Sequence, residues 1–129
     1  MAGLDPGAGA AARYTPITVD HFQRPRNVGR LKEAHAVGRV DDAQRETTIS
    51  IYLRFGPDGR VERATFRTLG CSACVAASSM ATELLPGRHA SEVDALSSAA
   101  IDHALGGLPH DKRYCADLVA EAVRRALSA

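Results

Sequence analysis

The chain has 129 residues, 45% hydrophobic and 24% charged, with a formal net charge of +1. That length suits one domain with its own core. The near-neutral balance excludes a general electrostatic attraction to nucleic acid or anionic membrane. No apolar run reaches the roughly 18 residues that a membrane-spanning helix needs.

Residues 1–12 are small and rich in glycine and alanine. They lack the basic start and apolar centre of a signal peptide. They read as part of a flexible tail, residues 1–13, ahead of a single domain over residues 14–129, and the protein is expected in the cytoplasm. Thr15 and Pro16 then mark a helix start, because threonine caps and proline suits the first helical position. This helix is expected to run to about Gln23, with Ile17 and Phe22 facing the core and His21 on the surface. It stops ahead of Arg24-Pro25, since proline disfavours helix in the residue before it. The two arginines Arg24 and Arg26 read as solvated charge. An irregular stretch follows to about Glu46, broken by a weakly signalled strand over residues 36–40.

Residues 48–55 alternate, with Ile49, Ile51, Leu53 and Phe55 on one face and Thr48, Ser50, Tyr52 and Arg54 on the other. Period two marks a half-buried strand. Gly56-Pro57-Asp58-Gly59 is turn chemistry. Residues 61–69 make the second arm of an antiparallel hairpin, with Ala64, Phe66 and Thr68 on one face. After Gly70 the period changes: Cys71, Cys74, Ala77, Ser78, Ala81 and Leu84 step by three and four, along one helix face. Pro86-Gly87 ends that helix. Ser91-Glu92-Val93-Asp94 resembles a capping box opening a short helix. Another helical segment covers residues 98–105, up to Gly106-Gly107. The last helix runs over residues 113–127, with Cys115, Leu118, Val119, Ala122, Val123, Ala126 and Leu127 as its apolar face. One helix, then strands, then several helices argues for an α+β fold with the helices packed on one face of the sheet.

The chain has three cysteines. An odd number, with two close together, favours metal, sulfur or redox chemistry over a disulfide framework. Cys71 and Cys115 both open helices, where unpaired N–H groups favour thiolate. Three thiolates with one further donor would suit zinc or an iron–sulfur cluster. Cys74 reads equally as a ligand or as filler on an apolar helix face, since free cysteine is among the most buried residue types. Burial is likewise open for Cys115. None of the five histidines forms a spaced metal pair, and only His110 lies near a cysteine.

Several stretches together resemble a known family. They are Val19-Asp20-His21-Phe22 with Arg24-Pro25-Arg26-Asn27-Val28-Gly29; Ala64 to Cys71, followed by Ala76-Ala77-Ser78-Ser79; and Leu108-Pro109-His110-Asp111-Lys112-Arg113-Tyr114-Cys115. In this order, over residues 14–127, they are similar to the iron–sulfur cluster assembly scaffolds of the IscU type, the NifU N-terminal-like family. The resemblance implies a small antiparallel three-stranded sheet, helices on one face, a long C-terminal helix and a non-enzymatic role. It implies a scaffold or carrier for iron or a [2Fe–2S] cluster, with zinc as the alternative occupant. It further implies a cysteine desulfurase as sulfur donor, apo iron–sulfur recipient proteins, and an Hsp70-type chaperone gripping Leu108, Pro109 and Lys112. Cys115 would be the persulfide acceptor.

This sequence departs from the family's site. The family's first cysteine stands as Arg45, its aspartate as Thr47, and the histidine before its last cysteine as Tyr114. Glu46 lies between the first two and, by strand parity, points away. Cys74 is an added thiol. One thiol lost and one gained suggests a rebuilt Cys71/Cys74/Cys115 site, with Arg45 lending positive charge that favours thiolate. The fourth position would fall to an open ligand, a partner protein or an outside thiol. The competing readings are a zinc or persulfide carrier of the same fold without cluster assembly, and an interaction module whose cysteines only pack.

Overall fold

The computed structural model describes residues 13–128, apart from the side chains of residues 93–95. The expected tail therefore lies outside the described residues except for Arg13, which pairs with Asp111 at 2.6 Å. Helix α1 is Pro16–Gln23, strands β1, β2 and β3 are Ala36–Asp42, Thr47–Phe55 and Val61–Leu69, and helix α2 is Ser72–Leu84. A 3-10 turn at Ala90–Ala95 precedes α3, Ser98–Ala104, and another at His110–Lys112 precedes α4, Arg113–Ser128. The sheet is antiparallel in the order β1-β2-β3.

The expected half-buried alternation is corrected in the middle strand, where Ser50 and Tyr52 on the opposite face are buried as well. Ile49, Ile51 and Leu53 are fully buried under the helices, paired with Val40, Gly38 and Ala36 on one side and Thr68, Phe66 and Ala64 on the other. The opposite sheet face carries a hollow of about 300 Å³ between Arg39, Ser50, Tyr52 and Arg67, which contains no cysteine. The weakly signalled strand proves to be the full-length β1. Its signal is weak because Gly38 sits mid-strand, and glycine is there for contact. A Cβ at Gly38 would land on the Ala122 carbonyl oxygen and the Ala126 backbone nitrogen of α4. The last helix lies directly on the first strand, and this contact carries Cys115 to the end of the sheet where β3 turns into α2.

Thr15 caps α1, accepting from the Thr18 backbone N–H at 3.1 Å. Phe22 packs against the core as expected, but the rest of the expected inward face of α1 is corrected. Ile17 is 47% exposed, while Thr18 and His21 are buried. The hydroxyl of Thr18 donates to the Leu105 carbonyl at 3.0 Å, and His21 meets α2, so polar bonding sets the helix's rotation. His21 is thus a core residue. The Ser79 hydroxyl accepts from the Arg26 backbone N–H at 2.9 Å and contacts His21 Nδ1 at 2.8 Å. The Glu83 carboxylate, 3.3 Å from Nε2, favours the imidazole proton on that nitrogen, so that Nδ1 accepts from the Ser79 hydroxyl. Asn27 Nδ2 donates to the Thr82 hydroxyl at 3.1 Å. These bonds explain the polar residues following Cys74. They dock residues 20–27 onto α2. Arg24 and Arg26 both pair with Asp20.

The expected capping box is also displaced. Glu92 accepts from the His89 backbone N–H at 3.0 Å, and His89 Nδ1 accepts from the Ser91 N–H at 3.1 Å, so the cap begins two residues early, at His89. Gly106 and Gly107 both have positive φ and close α3, as glycine allows.

Candidate functional site

Strand β3 ends at Leu69, and Cys71 takes the N-cap position of α2 in extended geometry. Its carbonyl accepts from the Cys74 and Val75 N–H groups, at 3.0 and 3.2 Å. One helical turn on, Cys74 is held by a short chain of hydroxyls. Ser78 donates to the Cys74 carbonyl at 2.8 Å and meets the Thr68 hydroxyl at 2.8 Å, tying the end of β3 to the start of α2. Gly70 packs against Thr47, whose methyl would lie 3.1 Å from any added Cβ, and the same Cβ would lie 3.6 Å from that of Cys74. Cys115 arrives in the first turn of α4.

The three sulfurs meet. Cys71 Sγ lies 3.7 Å from Cys74 Sγ and 3.6 Å from Cys115 Sγ, and Cys74 and Cys115 are 2.8 Å apart. Cys74 and Cys115 are fully buried, and Cys71 is half-buried. Cys74 is therefore buried in the core and in contact with both other thiols. A tetrahedral metal with bonds of about 2.3 Å spaces its sulfurs about 3.8 Å apart. Two of the separations already fit, and the third must open by about 1 Å. The thiol set is chemically suited to zinc or iron.

The charges divide unevenly. Contacts with the Cys115 and Cys74 thiols hold Cys71 far below the ordinary thiol range. The Cys115 contact would lower Cys74 as well, but the Cys71 contact, burial and the charge on Cys71 outweigh it and push Cys74 up to about 12. Contacts with Cys71 and Cys74, then burial, raise Cys115 strongly. Of the three, Cys71, the sulfur nearest solvent, is the one whose charged form these contacts favour. Arg45 stands near the thiols as expected, but Asp42 is its main partner, with Tyr114 and Cys115 acting on it more weakly. Its guanidinium pairs with Asp42 at 2.8 Å and lies 4.4 Å over the Tyr114 ring, and the thiols themselves set the charge on Cys71. Tyr114 in turn brings its hydroxyl to 3.7 Å from Cys71 Sγ, so Arg45 and Tyr114 are stacked over the thiols. Burial, then the contact with Cys71, raises the Tyr114 phenol, which stays protonated.

The other expected residues fall around this centre or away from it. Thr47 is buried, and its hydroxyl donates to the Arg45 carbonyl at 3.0 Å. Glu46 is exposed, with a φ of 50° that turns the chain into β2. His110 is exposed in the turn before α4. Leu108 is 4% exposed, in the core, while Pro109 and Lys112 are half-buried.

Comparison with known proteins agrees with this architecture. The NifU-like N terminal domain matches residues 13–129. The chain belongs to the NifU-like N terminal domain family. An Archaeoglobus fulgidus protein named iron-sulfur cluster assembly scaffold protein IscU 1 is 42% identical over 114 residues, covering 88% of this chain and 74% of that one. The IscU scaffold protein of Azotobacter vinelandii is 31% identical over 117 residues, covering 88% of this chain and 91% of that one. A crystal structure from Fervidobacterium islandicum, titled as a cluster assembly scaffold for the SUF system, has a TM-score of 0.70 at 16% identity, covering 92% of this chain and 99% of that one. At that identity it supports the NifU-like fold alone. Among the described residues, no helix is long and apolar enough to cross a membrane.

Proposed function

We propose that this NifU-like domain is an iron–sulfur cluster assembly scaffold whose cargo site is the trio Cys71, Cys74 and Cys115. The observation that carries this reading is the convergence of all three sulfurs within 3.7 Å at one end of the sheet. Cys74 supplies the third thiol that Arg45 withholds from the family's first position. Iron and sulfide are the cargo. The cysteines ligate iron, and a fourth position open toward Tyr114 and solvent accepts the remaining donor, which we assign to an outside thiol or a partner side chain. Its being left open by the protein suits a carrier, because a cargo that must leave is better held by an incomplete ligand set.

The sulfur donor in this reading is a cysteine desulfurase, and the recipients are apo iron–sulfur proteins. Cys71 is the only one of the three thiols with exposed surface, so sulfur from outside reaches it first. Cys115, 3.6 Å away, is the onward persulfide acceptor. A chaperone approaching the loop before α4 would grip Pro109 and Lys112, since Leu108 is committed to the core.

Two separations near the tetrahedral spacing also favour a second reading, a single zinc ion held by three thiolates without cluster assembly. Anaerobic reconstitution with ferrous iron and sulfide separates the two. Scaffold function predicts a coloured protein with matched iron and sulfide that passes its cluster to apo-ferredoxin, and a Cys71→Ala variant that does neither. A colourless protein that retains one zinc and transfers nothing would replace it with the zinc reading.

A further inference from the structure

Three thiols in contact can do more than hold a metal. Cys71 and Cys74 are joined by one helical turn, with their sulfurs at 3.7 Å. Residues three apart on a helix place their Cβ atoms about 5–6 Å apart. A disulfide asks for about 3.5–4.5 Å, so a small adjustment of the first turn closes the gap without moving another element. The half-buried Cys71 meets reagents, and Cys74 lies beneath it, fully buried.

We propose that Cys74 is a resolving thiol, which releases sulfide from a persulfide formed on Cys71. This rests on the reading of the site as one that handles sulfur. The donor is a sulfane-sulfur carrier, either the persulfide of a desulfurase or a low-molecular-weight hydropersulfide. In the first step, the Cys71 sulfur attacks the donor's terminal sulfur, the donor's S–S bond breaks, and the donor leaves as a thiol. In the second, the Cys74 sulfur attacks Cys71 Sγ. The bond from Cys71 Sγ to the terminal sulfur breaks, and a Cys71–Cys74 disulfide forms. The departing sulfur takes the electron pair and, with the Cys74 proton and its own, leaves as hydrogen sulfide. The sulfane sulfur gains two electrons, and the two cysteines lose them. An external dithiol reductant resets the pair by exchange. No separate electron donor is needed to convert sulfane sulfur to sulfide, and release takes place beside Cys115, within the cargo site.

The test treats the metal-free protein anaerobically with glutathione hydropersulfide. Intact mass, peptide mapping and released sulfide are measured for the parent, Cys74→Ala and Cys74→Ser. Alanine suits the buried site, because α2 already presents Ala73, Ala76, Ala77 and Ala81 to the core. Serine keeps the volume without the redox chemistry. The expected parent product has lost two hydrogens, maps to a Cys71–Cys74 disulfide and yields one sulfide per chain. Both variants are expected to keep the added sulfur, on Cys71 or passed on to Cys115, with sulfide yield down at least about tenfold. If the parent also keeps the added sulfur, or its disulfide joins Cys71 to Cys115, the resolving role is wrong and the sulfur-handling reading stands. If no protein gains sulfur or forms a disulfide, that reading fails and the proposal with it.

Discussion

Gly38 is where the fold and the site depend on one hydrogen atom. In the Gly38→Ala variant, the new methyl meets the Ala122 carbonyl oxygen and the Ala126 backbone nitrogen, neither of which can yield by a side-chain rotation. Helix α4 must lift from β1 by about 1 Å, a form of overpacking that costs about 3 kcal/mol. The smaller entropy of the unfolded alanine chain offsets about 0.7 kcal/mol of this. The net loss is about 2 kcal/mol, or a melting temperature lower by about 10 °C. Gly56→Ala is the control. Its nearest neighbour is an Asp58 carboxylate oxygen 3.3 Å away at an exposed turn, so its change stays within about 0.5 kcal/mol. Because α4 also carries Cys115, zinc affinity falls at least about tenfold in Gly38→Ala, as when a ligand's support is removed. Urea melts and competitive zinc titration read both quantities. A Gly38→Ala protein that matches the parent in stability and zinc affinity would refute the direct packing of α4 on β1, and with it the account of how Cys115 is placed.

Two further outcomes follow from single residues. His21 is held below its usual 6.5, first by burial and then by Arg26, so between its two pKa values the unfolded chain binds more protons than the folded one. Its contribution is full above about pH 6.5 and is lost as pH falls through the window beneath. His21→Gln, which keeps an acceptor for Ser79, flattens that part of the stability–pH curve; an unchanged slope would contradict the buried neutral imidazole. Arg45→Ala removes the guanidinium stacked on Tyr114, and bound zinc should pass to a chelator faster at nearly unchanged equilibrium affinity; an unchanged rate would leave Arg45 no covering role.

Much of the fold was legible because its signals are local. The alternation over residues 49–55, the turn at residues 56–59 and the change of period after Gly70 each name their element. What sequence patterns misread was tertiary. Ile17 looks like a core residue and His21 a surface one, until bonds to Leu105 and Ser79 fix the rotation of α1. Strand β1 was faint because Gly38 serves contact rather than propensity. At the site, spacing alone left Cys74 undecided between ligand and filler, since both put it on the buried face of α2. Its approach to Cys115 belongs to a contact between residues 41 positions apart. Arg45 reads as a neighbour of the thiols and is one, but Asp42, three residues away, is its stronger partner.

The central claim is that Cys71, Cys74 and Cys115 act as one centre. X-ray absorption at the metal edge counts sulfurs directly. Zinc-loaded parent protein should give three sulfur neighbours at about 2.3 Å with one lighter donor, and Cys74→Ala should give two. Two or fewer sulfurs in the parent, unchanged by Cys74→Ala, would return Cys74 to the core and contradict the rebuilt site.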